Sequence, residues 1–202
     1  MDRHRLNLES IARALHGPLA QSSDYDFDAA ARPAAEVRLR PASVLVPLVE
    51  RGAGLSVVLT RRAARLAHHP GQVAFPGGKQ DPRDADALAA ALREAEEEIG
   101  LPPALVQVLG AFDPHETVTQ FLVTPFVGLV TGPFEPRPDR AEVDEVFEAP
   151  LAFVLDPANM QVHRRRWGGH WRQYYAIPYG PHYIWGATAR ILKTLADRLG
   201  ER

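Results

Sequence analysis

Glu94, Glu96, Glu97 and Glu98 crowd five consecutive positions in the segment ALREAEEEIGL. In an α-helix, at about 100° per residue, Glu94, Glu97 and Glu98 fall within an arc of about 100° while Glu96 points elsewhere. An acidic helix face is ordinarily just a solvated one. Here the acids sit in the last turn, where the helix dipole is negative and each like-charged i,i+3 or i,i+4 pair costs roughly 0.2–0.5 kcal/mol. Helix formation does not favour that placement. A divalent cation reverses its sign, because carboxylates at this spacing suit Mg²⁺ or Mn²⁺, which also keep water and substrate phosphate as ligands.

Two neighbours strengthen the metal reading. The pair Gly77-Gly78 lets backbone come close to a ligand, with the Gly78 carbonyl as a further oxygen donor. Arg93 stands beside Glu94, where a guanidinium fixes a carboxylate through paired hydrogen bonds. The adjacent histidines His68 and His69 point apart in extended chain and have no third ligand at metal spacing, so zinc is not expected.

The element that must hold these acids is a helix from about Asp84 to Ile99, closed by Gly100. Its expected apolar stripe is Leu88, Leu92, Ala95 and Ile99, which docks the helix while the acidic face stays free. Upstream, Leu6 to Leu15 has helical spacing, and Gln21 to Pro41 reads as a surface loop. The runs SVLVPLV and LSVVLTRR form a hairpin around Glu50 to Gly54. Further strands are expected at Leu105 to Phe112 and Val118 to Val130, then an acidic helix-like patch from Glu142 to Leu155. An aromatic strand region and a final helix, Trp185 to Leu199, complete the chain. Strands and helices mixed without regular alternation predict an α+β or layered α/β/α fold. The expected organisation is a single domain over 36–202, with residues 1–35 packed on it as a helix and loop.

Composition bounds the alternatives. The 202 residues, 46% hydrophobic and 24% charged, exclude collagen-like and disordered classes. A formal charge of −2 provides no global basic field for nucleic acid or anionic membrane, so a polyanionic ligand must be met locally. The absence of cysteine removes disulfides, thiolate metal sites and cysteine nucleophiles. No apolar run approaches the ~20 residues of a membrane span, and the polar amino terminus lacks a leader's apolar stretch, so a cytoplasmic protein is expected.

The closing run Arg93-Glu94-Ala95-Glu96-Glu97-Glu98-Ile99-Gly100-Leu101 resembles the signature of Nudix hydrolases in full. Five residues separate Gly78 from Asp84, as in that signature. Eight rather than seven then separate Asp84 from Arg93, and Asp replaces the usual Glu. A second resemblance accounts for this departure. Leu59-Thr60-Arg61, Ala63, Leu66, His69, Gly71-Gln72-Val73 and Phe75-Pro76-Gly77-Gly78 are similar to the extra motif of the coenzyme A pyrophosphatase branch, where the inserted residue and the Asp are usual. Ala67 stands where that motif has an arginine. Similarity continues through Trp185-Gly186-Ala187-Thr188 and covers residues 38 to 195.

The resemblance implies a Nudix-type α/β/α sandwich with a mixed sheet and metal-dependent hydrolysis of a substituted diphosphate, with coenzyme A or its derivatives as substrate. It implies Glu94, Glu97 and Glu98 with the Gly78 carbonyl as ligands to Mg²⁺ or Mn²⁺, and Arg93 as the group that orients them. The proton acceptor is left open between Glu97 and the downstream acids Glu142, Asp144 and Glu145, with Glu145 placed in the catalytic set. Arg61, His69, Gln72, Phe75 and Gly77 are the substrate-binding candidates, and Arg62 and Arg65 are further phosphate contacts. The basic patch His163 to Trp167 reads as a solvated hairpin. ADP-ribose, NADH or a nucleoside triphosphate are alternative substrates, and a non-catalytic nucleotide sensor is a further alternative. The partner expected is a small molecule, with no nucleic acid and no membrane. The apolar final helix serves either as core or as a homodimer surface.

Overall fold

The computed structural model describes residues 6–16, 21–32, 38–167 and 170–200. Helix α1 (Leu8–Leu15) opens them, capped by Asn7, whose side chain accepts the Ser10 N–H while the Ser10 hydroxyl reaches back to the Asn7 N–H. The loop that follows contains strand β1 (Ser22–Ser23).

The central element is β2 (Arg40–Arg51), paired antiparallel with β3 (Gly54–Arg62) and parallel with β8 (Phe121–Val130). The two-residue turn Gly52-Ala53 joins β2 to β3, tighter than the five-residue loop expected, because Arg51 already pairs with Gly54. Between β3 and β8 lie β4 (Val73–Ala74), β5 (Gly77–Lys79), helix α2 (Ala87–Ile99), β6 (Val106–Ala111) and β7 (His115–Glu116). Strand β9 (Val143–Pro150) then returns along β3. Among the described residues these make one mixed sheet ordered β1-β7-β8-β2-β3-β4, with β5 on β2, β6 on β8 and β9 on β3.

The sheet is covered on both faces, and β2 shows why. Its alternate residues Leu45 and Val49, with Val58 of β3, pack on Ala91, Ala95 and Ile99 of α2. The intervening Val46 and Leu48, with Val57 and Leu59, pack on Ile11 and Leu15 of α1 and on Ile191, Leu192 and Leu195 of helix α4 (Ala187–Gly200). A strand buried on both sides reads as a continuous apolar run, as SVLVPLV does. Each such side chain contributes about 1.5–3 kcal/mol when fully buried. The fold is thus the expected α+β sandwich with a mixed sheet between helices.

A second, antiparallel sheet is built from β10 (Gln161–Trp167), β11 (His170–Tyr179) and β12 (His182–Trp185). Most of the segment from Glu142 to Leu155, expected as helix, forms β9 from Val143 to Pro150. Its buried Val143 and Ala149 fit the two-residue period of a strand, and the helix α3 (Leu151–Val154) is all that follows. Acidic composition had suggested helix, whereas alternation and pairing with β3 decide for strand. Trp185, expected to open the last helix, closes β12, and α4 begins after Gly186.

Candidate active site

Helix α2 begins at Ala87 rather than Asp84, with Asp86 as its cap accepting the Ala89 N–H at 2.8 Å. Gly100 ends it in the left-handed conformation expected. The buried face differs from the expected stripe. Ala90, Ala91, Ala95 and Ile99 are buried, Leu88 and Leu92 only partly, and Glu98 is buried with them at 5% exposure. The acidic face is therefore split: Glu98 turns into the protein, Glu94 is half-buried, and the Glu97 side chain remains 60% exposed.

Arg93 organises that face. Its Nε and Nη2 donate to the two Asp84 oxygens at 2.9 and 3.0 Å, and its Nη1 donates to Glu94 at 3.1 Å and Glu97 at 2.9 Å. Nη2 also reaches the Lys79 carbonyl at 3.3 Å. Asp84, outside the helix, is thus the anchor of the orienting arginine, and its carboxyl is held below the usual range by that hydrogen bond. Glu98 accepts the Gly77 N–H at 3.1 Å and lies 4.0 Å from the Arg62 guanidinium. Gly78 backs onto Glu94 so closely that a Cβ there would stand 2.5 Å from the carboxylate.

The electrostatics of these acids are unfavourable as they stand. Burial raises Glu94, against the opposing hydrogen bond from Arg93, and the charges of Glu97 and Glu142 raise it further. Burial pushes Glu98 up to about 8, the Gly77 N–H opposes this, and the Glu94 charge adds to it. Among the described residues no three carboxylates or histidines converge as a ready-made cation cage. The donor chemistry nonetheless fits a hard divalent ion: three carboxylates, two of them raised by burial and by neighbouring acids, beside Gly78, whose missing side chain leaves the Glu94 carboxylate in place.

The downstream acids separate. Glu142 acts electrostatically on both Glu94 and Glu98. Asp144 accepts the Ala64 N–H at 3.0 Å. Glu145, placed in the catalytic set from sequence, accepts from Arg61 Nε at 3.0 Å and lies 3.7 Å from His182. Arg61 is therefore engaged by Glu145, with Asp144 at 3.8 Å.

A cavity of about 270 Å³ lies at the α4 side of the sheet; no residue of α2 lines it, and Arg62, which stands 4.0 Å from Glu98, connects its wall to the acidic face. His69, Gln72 and Phe75 line it, together with Arg62, but Arg61, Gly77 and Arg65 do not. Its other walls are Val44, Val123, Trp185 and Ile191, the Thr117–Thr119 turn, and Asp24. His69 is shifted down by burial and by the Arg62 charge. Arg165 and Arg172 also face the cavity. Sequence reasoning read Arg165 as part of a solvated hairpin and did not single out Arg172. Nothing in the local sequence pairs them; Arg165 and Arg172 meet only through the register of β10 and β11. Within the same patch Arg164, Arg165 and Arg166 are all exposed as expected, and the Trp167 side chain lies outside the described ones.

Comparison with known proteins agrees with this geometry. The NUDIX domain model matches residues 39–174. The chain is 45% identical over 166 residues to the Uncharacterized Nudix hydrolase NudL of Cronobacter sakazakii, covering 81% of this chain and 84% of that protein. It is 42% identical over 164 residues to the protein of the same name from Escherichia coli, covering 80% and 83%. Among solved structures, the NUDIX hydrolase from Alicyclobacillus acidocaldarius superposes with a TM-score of 0.50 at 25% identity, covering 60% of this chain and 83% of that one. Among the described residues no helix is long and apolar enough to cross a membrane. A domain match over most of the chain, close relatives over four-fifths of it, and the Arg93-centred carboxylate face together make this chain a member of the Nudix hydrolase family.

Proposed function

We propose that this Nudix hydrolase cleaves the diphosphate of coenzyme A or its derivatives, giving 3',5'-ADP and 4'-phosphopantetheine or its acyl form. The observation that carries the reading is the cavity whose wall Arg62 shares with the acidic face of α2. Three of the residues marked by the upstream motif, His69, Gln72 and Phe75, line it, and its walls combine apolar surface with arginines. A substrate with an adenine, a long apolar-amide arm and several phosphates needs that mixture.

Glu94, Glu97 and Glu98 would hold Mg²⁺ or Mn²⁺, with the Gly78 carbonyl as a further donor. When bound, such ions neutralise the charge of diphosphate oxygens and make a bound water acidic. The protein's own work is positioning and charge placement, since phosphoryl-type transfer asks for little covalent chemistry. Arg93 orients Glu94 and Glu97 and is itself fixed by Asp84. Arg62 carries positive charge from Glu98 to the cavity wall, where it meets the substrate's diphosphate. Glu97, open to solvent, takes the proton from the attacking water. Glu145 holds Arg61 in place beside the site.

The test is product analysis by mass spectrometry after incubation with Mg²⁺ or Mn²⁺ and, separately, coenzyme A, ADP-ribose, NADH and a nucleoside triphosphate. Efficient release of 3',5'-ADP from coenzyme A alone is expected. Faster cleavage of another nucleotide overturns the substrate assignment, and binding of nucleotide without cleavage of any of them points to a sensor.

A further inference from the structure

We infer that Arg165 and Arg172 form a second anion subsite in the cavity, one that takes a phosphate monoester separate from the diphosphate being cleaved. The inference rests on the functional reading above only for the diphosphate's position; the subsite itself stands on the arrangement of arginines.

Arg165 and Arg172 face one another across β10 and β11. Like charges directly opposed on a sheet are destabilising. Both residues line the cavity, and among the described residues no carboxylate forms an ion pair with either. Arg62 enters the same cavity from β3 of the large sheet. The Nε atoms of Arg62 and Arg172 are buried with no hydrogen-bond partner among the described residues. A buried guanidinium N–H without an acceptor is costly, and such groups in a folded protein call for an explanation. Arg172 is further held with its guanidinium 5.3 Å from the centre of the Tyr25 ring, and its side chain lines the cavity wall.

One acid, Asp24, stands in the same wall and offsets part of this charge. Asp24 has one oxygen 3.1 Å from His115 Nε2 and the other accepting the Val118 N–H at 2.9 Å. These contacts fix its position, and the three arginines leave the cavity with a surplus of positive charge. Three arginines thus line the cavity against one carboxylate, and a dianionic phosphate is the ligand whose charge complements that surplus.

Position divides the work between the arginines. Arg62 lies 4.0 Å from Glu98 and so belongs with the diphosphate. Arg165 and Arg172 come from the separate three-stranded sheet, which places them at a second wall. A ligand that satisfies both walls carries a monoester phosphate in addition to its diphosphate, which a plain dinucleotide lacks.

The test measures binding of 3',5'-ADP and of 5'-AMP to the metal-free full chain by titration calorimetry, so that hydrolysis plays no part. The wild-type chain is expected to prefer 3',5'-ADP by roughly tenfold or more, as charge-assisted hydrogen bonds warrant. Arg165→Gln and Arg172→Gln should each reduce that preference several-fold, and Arg165→Lys should retain more of it than Arg165→Gln. Absence of a preference in the wild type, or its survival in the glutamine variants, overturns the inference. Arg165 is exposed, so its variants decide the matter even where Arg172→Gln fails to fold. If coenzyme A is cleaved while the preference is absent, the functional reading stands and the subsite falls. If the preference is present and lost as expected while coenzyme A is not cleaved, the subsite stands and the substrate assignment falls.

Discussion

The Glu98 carboxylate accepts a hydrogen bond from the Gly77 N–H at 3.1 Å, across twenty-one residues of sequence. This contact joins the last turn of α2 to the glycine pair of β5, and through the antiparallel pairing of Gly77 with Val44 it ties both to the central strand. The acids that sequence placed on one free face are in fact graded from buried to exposed. Each therefore answers to substitution in its own way.

Glu98→Gln and Glu97→Gln should each cut kcat by about 10²-fold or more with Mg²⁺ as the metal, while circular dichroism stays that of the wild type. Both changes are isosteric, so loss of charge is what they test. Near-normal turnover in both variants would sink the assignment of the carboxylate face.

Arg93 acts through its neighbours, as a positioning residue. Arg93→Lys keeps the charge but cannot reach Asp84, Glu94 and Glu97 together. The expected result is a fall of roughly 10- to 100-fold in kcat with KM little changed, and a larger fall for Arg93→Gln. A change confined to KM would mean that Arg93 contacts substrate instead.

Gly78→Ala places a methyl group 2.5 Å from the Glu94 carboxylate. The end of a flexible side chain yields cheaply, so the melting temperature should change little, by about 1 kcal/mol of stability or less. The carboxylate, however, must leave its position, and kcat should drop roughly tenfold or more. Full activity in this variant would show that the close approach of Gly78 to Glu94 has no bearing on the reaction.

Glu98 also sets a pH dependence of stability in the metal-free protein. Its folded value of about 8 lies above its ordinary 4.5. Between those values the folded chain retains a proton that the unfolded chain has released, so the contribution is complete below the lower value and is lost as pH rises through the upper one. Melting of the wild type in a chelator should therefore decline across that window more steeply than melting of Glu98→Gln. A residual slope remains from Glu94, which burial also raises. Identical slopes for the two proteins would refute burial of an ionisable Glu98.

What the sequence alone determined was local. The spacing of Glu94, Glu97 and Glu98, the Gly100 cap and the double-sided apolar run of β2 all depend on residues a few positions apart, and helix and strand periods make such patterns legible. The family resemblance rested on the same kind of short-range order. Tertiary structure decided what short-range order does not encode. Val143 to Pro150 became a strand because β3 offered it a partner, against its acidic composition. Glu98 became buried because α2 lies on Leu45 and Val58 with that side turned inward. Neighbouring Arg61 and Arg62, alike in sequence, parted company at a shift in register between them, one to Glu145 and the other to Glu98 and the cavity. Arg165 and Arg172 came together on a sheet whose pairing no local pattern announces. Which charges meet is a property of strand register and helix docking, and these are settled only when the whole core closes.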